Sequence, residues 1–593
     1  MLLCVLAAAG LLVALPLLAG SENINYEDLN KIKAEGMQRS QVMELNSWLS
    51  DVYAPRLTGS PMIVKAAEWA MGKMKEWGLA NVKMEPWGNR NSFDRGWTND
   101  KFYMQCTAPD RFPVPGTPTA WTPGTNGLVS GDVVLVTATT AEDLAQYKGK
   151  LKGKWILTQA APDVPAMWDA QARRYTAQEL EEMEGPARQT EFGVLAPGAA
   201  RQGGAPAAAP GQQGQRAGAP PAGQQAAQQG QRAGGPPAGQ PAQPQPPAGG
   251  RGGGGASARN EFFLAEGVLG LISTAPRGHG MYTIGGTRTN DPAKTLPAIA
   301  IAAEQYGRMA RALAKNVTVT IEADIKNTFH PDPSLFNVVG EIPGTDKADE
   351  VVLLGAHFDT WHAATGAADD GNGSAAMMEA MRILKATGVK LRRTVRIGLW
   401  EAEEQGLIGS REYVNAHYVN RPQAAGGAGA GGRGGAPAAG AGAGGRGGAP
   451  APLELKPEHA KFSVYFNIDN GTGALRGIYT QGNEAVVPVF REWIEPFRSL
   501  GMTTVTTRNT GGTDHTNFDS VGLPGFQFIQ DAVEYSTITH HTNMDTYERL
   551  QPRDNMQMAT IVAGFAYLAA NRDQVLPRKP ANAPGGRGRG SQQ

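Results

Sequence analysis

From Phe336 onward the chain alternates short apolar runs with amphipathic ones, and each apolar run stops on an acid or an imidazole. "EVVLLGAHFD" ends in His357 and Asp359, "LRRTVRIGLWEAEE" in Glu403 and Glu404, and "KFSVYFNIDNG" places Asp469 at its end. Between them, "GSAAMMEAMRILKATG" and "GLIGSREYVNAHY" carry helical spacing, the first closing on Gly388, where a helix C-cap belongs. Continuous apolar strands separated by helices predict an α/β fold: a mostly parallel mixed sheet with helices on both faces. Such a sheet gathers its ligand crevice at the carboxyl ends of its strands. The acids and imidazoles are expected to converge there, joined by Asp369 and Asp370 of "GAADDGNGSA" and by His540 and His541 of "ITHHTNMDTYE".

No lysine or arginine stands between His357 and Ala375. Carboxylates packed together raise one another's pKa unless a cation separates them, so a divalent metal is the simplest counter-charge. Imidazole and carboxylate without thiolate suit Zn²⁺, with Mn²⁺ and Co²⁺ as chemical relatives. The positive charge of two Zn²⁺ ions balances three carboxylates and one bridging hydroxide. Calcium, the other reading of "DDGNG", needs more oxygen ligands in its own loop and no histidine.

The blocks "GAHFDTW", "GAADDGNGSA", "WEAEEQGLIGS", "FNIDNGTG", "GTDHTNF", "VGLPGF" and "HHTNMDTYE" follow one another in an order that resembles the co-catalytic zinc exopeptidases. That family includes bacterial leucyl aminopeptidases and glutamate carboxypeptidase. The resemblance covers most of the chain, including "PRLTGSP" near its start. It implies the zinc exopeptidase fold with an inserted β-rich protease-associated domain, two Zn²⁺ per chain, and hydrolysis of dipeptides or short peptides by a metal-bridging hydroxide. It also implies roles: His357 and Asp469 on one zinc, Glu404 and His541 on the other, Asp369 bridging, and Glu403 as general base. Asp359 would hydrogen-bond the His357 imidazole and fix its tautomer. The family pattern "HTxxDT" selects His541 over His540, which is left to pack or to bind substrate. His515, in "GTDHTNF", is expected to line or brace the pocket, and Trp361 either closes the substrate pocket or only packs.

Pattern and composition set the expected boundaries: 1–20 a signal peptide or N-terminal anchor, 21–126 the first part of the peptidase domain, 127–310 the inserted domain, and 311–578 the metallopeptidase domain. Glycine (77) and proline (41) concentrate in 196–258, 423–452 and 579–593, which lack the apolar patterning of a core and read as disordered. The opening apolar run predicts an exported, periplasmic or extracellular protein, with membrane association through that segment as the alternative. A formal net charge of +0, and arginine–glycine repeats without aromatics, argue against nucleic acid. Short peptides are the expected partners, and a homodimer is left open. Cys106 reads as a small buried side chain. Two rival readings stand beside hydrolysis: a glutaminyl-cyclase-like acyl transferase with a single zinc, and a non-catalytic surface receptor or adhesion module. Which peptide end is held stays open too, since amine capture needs an acid beside the metals and carboxylate capture an arginine or lysine.

Overall fold

The computed structural model describes residues 22–88, 93–185, 189–190, 193–194, 253–287, 291–420 and 453–579. The expected signal or anchor, the insert at 423–452 and nearly all of the other two low-complexity stretches lie outside these residues. One boundary moves: a helix, Gly253–Glu266, begins inside the stretch expected to be disordered. Its later residues explain this, because Phe263 is buried among Val136, Leu144 and Ile156 and so anchors the helix. Among the described residues no helix is long and apolar enough to cross a membrane.

Two eight-stranded sheets organise the chain. The first runs in the order Ala80–Pro86, Phe336–Ile342, Arg393–Trp400, Lys347–His357, Phe462–Asn467, Gly525–Gln530, Leu475–Tyr479, Thr504–Thr506. Its four central strands, from Arg393–Trp400 to Gly525–Gln530, are mutually parallel, while the flanking pairs include antiparallel ones.

Side-chain alternation shows why these strands are apolar throughout. Val352, Leu354 and Ala356 pack into one core with the helices Pro61–Glu76, Asn372–Thr387 and Pro552–Asn571. Leu353, between them, packs into a second core with Tyr413, Val414 and Phe518 of the helices on the opposite face. Both faces are therefore removed from water, which drives burial at roughly 25 cal/mol per Å² of apolar surface. Gly355 sits where this packing is close: a Cβ there would stand 2.7 Å from Trp400 Nε1 and from the Tyr465 hydroxyl.

The second sheet forms a β-rich module, but it extends beyond the 127–310 expected for an inserted domain. Arg95–Ala108 pairs antiparallel with Thr320–Pro331 from Arg95 opposite Pro331 to Ala108 opposite Thr320. Both strands alternate apolar residues with exposed charges such as Lys101, and each finds its partner far away in sequence, so no turn announces the pairing. Cys106 is buried and free in this sheet's core.

The two sheets meet at the loops that follow the first sheet's strands. Ile284 N–H donates to the His541 carbonyl at 2.8 Å, and Arg173 and Val533 exchange backbone hydrogen bonds of 3.1 and 2.9 Å. His362 Nε2 donates to the Pro118 carbonyl at 2.6 Å. Because a carbonyl only accepts, that bond fixes the tautomer and gives His362 an anchoring role.

Candidate active site

Parallel register brings the strand ends level. His357 lies opposite Trp400, the residue before Glu401, and Gly355 lies opposite Asn467, two residues before Asp469. The acids that follow each strand therefore emerge on one edge of the sheet.

His357 and Asp369 are buried at the centre of the cluster. The His357 Nδ1–H donates to the Asp359 main-chain carbonyl at 2.9 Å. This leaves the Nε2 lone pair facing Asp369 Oδ1 at 3.3 Å and Asp469 Oδ1 at 3.6 Å. The other oxygen of Asp369 faces the opposite way: Oδ2 lies 3.4 Å from His541 Nε2. His541 Nε2 in turn lies 2.8 Å from Glu404 Oε2. One carboxylate thus stands between two imidazoles, each with a second carboxylate beside it.

Neighbouring groups hold this arrangement. Gly366, at φ 62°, turns the chain into Ala367–Gly371, and the Asp545 carboxylate accepts from the Ala368 and Asp369 amides at 2.6 and 3.1 Å. Tyr535 donates its hydroxyl to Asp369 Oδ1 at 3.1 Å. Asp370 accepts from the Gly373 amide at 3.0 Å, in the first turn of the helix that begins at Asn372. Arg56, fully buried, donates to the carbonyls of Phe358 at 2.8 Å, Leu49 at 2.5 Å and Gly366 at 3.2 Å. The site therefore does have a cation close by, delivered from "PRLTGSP", but its donors are spent on main-chain oxygens. Arg56 and Asp545 are functional neighbours that a search of the strand ends misses.

The Asp359 carboxylate is placed differently from the expectation. Its Oδ1 is 3.8 Å from His357 Nδ1, beyond hydrogen-bonding distance. It instead accepts from the Glu403 amide at 3.1 Å, while Oδ2 accepts from Thr58 Oγ1 at 3.0 Å. The main chain of Asp359 fixes the imidazole, and its side chain fixes the loop carrying Glu403 and Glu404. His515, expected to line or brace the pocket, does not line it. It is wholly buried, with Nε2 2.5 Å from the Gln481 side-chain nitrogen and 3.2 Å from the Thr510 carbonyl, and burial lowers its pKa to about 4. It braces the loop from inside and presents no surface to a substrate.

His540 stacks on His541 with ring centroids 4.0 Å apart, and its Nε2 is 4.0 Å from Asp369 Oδ2. Trp361 both packs and borders the cleft: it meets Trp121 and His541 edge-on at 6.2 and 6.3 Å, and lines the cleft with Ile284, Asp369, Glu404 and His541.

The charge balance asks for metal. Burial, reinforced by neighbouring carboxylates, pushes Glu403 and Glu404 well above the ordinary carboxylate range. Asp369 Oδ2 and Glu404 Oε1 are buried and accept no hydrogen bond among the described residues. Burying an anionic oxygen without a donor is costly, and a bound cation removes the cost. His357, Asp369 and Asp469 bring ligand atoms within 4.8 Å of one another, as do Asp369, His540 and His541. The donor set, imidazole and carboxylate without sulfur, fits Zn²⁺.

Sheet, strand-end cluster and orphaned carboxylate oxygens together define a site suited to metal at the carboxyl edge of an α/β domain. Residues 337–431 and 438–566 match the model of peptidase family M28. Carboxypeptidase Q of Mus musculus is 28% identical over 288 residues, which are 49% of this chain and 53% of that relative. The chain thus spans about half the length of the curated relatives it matches. Leupeptin-inactivating enzyme 1 of Streptomyces exfoliatus is 28% identical over 191 residues, 32% of this chain and 34% of that one. A crystal structure of a peptidase M28 precursor from Shewanella amazonensis superposes with a TM-score of 0.59 at 22% identity, covering 94% of this chain and 100% of that one, a likeness of fold.

Proposed function

We propose that the chain is a di-zinc exopeptidase that hydrolyses dipeptides or short peptides. The observation that carries this reading is the placement of Asp369, whose two oxygens face different imidazoles at 3.3 and 3.4 Å. A carboxylate so placed suits a pair of ions better than a single one. His357, Asp469 and Asp369 Oδ1 would hold the first zinc; Glu404, His541 and Asp369 Oδ2 would hold the second.

When bound, such a pair supplies Lewis acidity, lowering the pKa of a shared water and polarising the scissile carbonyl. The chain supplies the rest. Glu403, whose carboxylate stands beside the ligand set without belonging to it, takes the proton of the attacking water and returns it to the leaving amine. Proton transfer of this kind contributes roughly 10²–10⁴-fold. Asp359 holds the Glu403 amide at 3.1 Å, so the base keeps its place while its neighbour Glu404 binds metal. Trp361 and Ile284, the latter from the loop after the second sheet's strand Gly270–Ser273, wall the cleft, and such walls limit the access of bulk water to reacting groups.

The test is to titrate zinc into metal-free protein and assay the loaded form on a panel of dipeptides blocked at either end. Two tightly bound zinc ions per chain and cleavage of unblocked dipeptides are expected. One tightly bound zinc with cyclisation of N-terminal glutamine, and no hydrolysis, would overturn the reading in favour of the acyl transferase.

A further inference from the structure

The loop after the strand Gly525–Gln530 carries Tyr535, His540 and His541, and it is clasped at both ends by chain that leaves the second sheet. Trp155–Leu157 and Gly270–Ser273 are neighbouring parallel strands of that sheet, so the chain leaves both on the same edge. After the first strand it reaches the start of the loop: Arg173 and Val533 form an antiparallel bridge, and Thr537 Oγ1 donates to the Gln171 carbonyl at 2.8 Å. After the second strand it reaches the loop's end, where Thr283 bridges to Thr542 and the Ile284 amide donates to the His541 carbonyl at 2.8 Å. Between the clasps the turn Tyr535–Thr539 is continuous, with the Ile538 amide donating to the Glu534 carbonyl and the His540 amide to the Tyr535 carbonyl, both at 2.9 Å. The placement of the loop's start is therefore passed on to its histidines.

The first clasp depends on a charge. Asp531, the residue after the strand, is wholly buried, and a buried carboxylate needs both donors and a cation. The clasp supplies both: the Tyr175 amide donates to Oδ1 and Arg174 Nη1 to Oδ2, each at 2.9 Å. The same Nη1 lies 2.7 Å from Asp554 Oδ2, in the first turn of the helix Pro552–Asn571, so one guanidinium ties the clasp to the loop and to a helix of the first sheet's core. Arg476, the other cation beside Asp531, stands 3.6 Å from Oδ1, beyond hydrogen-bonding distance. Arg174 is itself half-exposed, so replacing it opens no cavity in a core and acts through the clasp.

We infer that Arg174 is a positioning residue for the metal cluster: by locking Gln171–Tyr175 onto Asp531, it sets the aim of the loop that brings His541 to Asp369 and Glu404. The inference rests on the two-zinc reading of the cluster. It makes the two metal positions unequal. His357 and Asp469 follow the strands Lys347–His357 and Phe462–Asn467, which the clasp does not touch, so the zinc they would hold depends little on Arg174. The zinc that Glu404 and His541 would hold takes one ligand from the clasped loop.

The experiment strips zinc from the loaded full chain with a graded series of chelators, in the unsubstituted protein, Arg174→Met and Arg174→Lys, with His541→Ala showing which ion is which. Arg174→Met weakens the zinc that His541→Ala removes by roughly tenfold, the low end of the scale for supports of metal ligands, and leaves the other within about twofold. Arg174→Lys, which keeps a charge against Asp531, restores part of the loss. Melts of the metal-free variants establish that each is folded at the temperature of the titration. In an Asp531→Asn background, where the clasp has lost its anion, Arg174→Met has no further effect on zinc. Equal weakening of both ions, weakening of neither with only the melt lowered, or a full effect of Arg174→Met in the Asp531→Asn background overturns the assignment. A single zinc in the unsubstituted protein removes the two-zinc reading instead, and the assignment then stands if that ion weakens tenfold in Arg174→Met and falls if it does not.

Discussion

His541 Nε2 lies 2.8 Å from Glu404 Oε2, a pairing of two groups that arrive on loops after different strands of one sheet. Neither belongs to the His357 side of Asp369, so removing either should empty one metal position and spare the other. On the two-zinc reading, His541→Ala is expected to lower zinc from two to about one per chain, and hydrolysis should fall by two orders of magnitude or more, because that mechanism uses both ions to activate the water and polarise the carbonyl. Metal analysis after gel filtration checks this. Loss of both ions together, or of neither, would contradict the division drawn here.

Glu403 predicts the opposite split between binding and turnover. Its amide is held by Asp359 at 3.1 Å, and the proposed mechanism leaves its carboxylate outside the ligand set. Glu403→Gln removes the proton acceptor and keeps the shape, so kcat should drop roughly 10²–10⁴-fold with zinc content unchanged. A variant that also loses zinc would make Glu403 a ligand and Glu404 the candidate base.

Away from the cleft, Glu85 gives a pH signature of folding. It accepts from His417 Nε2 at 2.5 Å and pairs with Lys83 at 3.0 Å. Burial alone would raise its pKa, but the hydrogen bond from His417 and then Lys83 hold it at about 2, below the ordinary 4.5. A carboxyl depressed in the folded state stabilises the fold above its unfolded pKa, and that contribution fades as pH falls through 4.5 toward 2. The melting temperature of Glu85→Gln should therefore lie furthest below that of the unsubstituted protein near pH 6, and the gap should close near pH 2. A gap that does not change with pH would assign the interaction to packing.

The parts of the site visible in the sequence are those the chain announces locally. His357, Asp469 and the Glu403–Glu404 pair each follow an apolar strand, and parallel register brings strand ends level whatever the loops do. Contacts set by long-range register were not visible. Arg56 reaches the Phe358 and Gly366 carbonyls from a distant segment, and the Asp359 side chain turns to the Glu403 amide because the neighbouring strand end comes within reach. The extended second sheet escaped for the same reason: period-two patterning marks Arg95–Ala108 as a strand without naming its partner. Whether His515 lines or braces the pocket stayed open because a histidine beside a functional block carries no mark of burial.

Asp545 offers a sharper test of how the bridging carboxylate is held. It is buried, and its two oxygens accept from the Ala368 and Asp369 amides at 2.6 and 3.1 Å, so it fixes the main chain from which the Asp369 side chain projects. Burial, reinforced by the charge of Asp369, raises its pKa to about 8, a cost tolerated only because those amides donate to it. Asp545→Asn keeps the size but turns one acceptor into a donor facing an N–H. The turn should loosen and the bridge lose its aim, weakening zinc binding by roughly 10–100-fold, the scale seen when the supports of metal ligands are removed. Asp545→Ala, which leaves both amides unpaired, should do the same and also lower thermal stability. Competition against a graded series of chelators measures the affinity, and a melt of the metal-free protein reports folding separately. If both variants bind zinc as the unsubstituted protein does, the Ala367–Gly371 turn is held by Gly366 and Tyr535 alone, and Asp545 has no part in positioning the bridge.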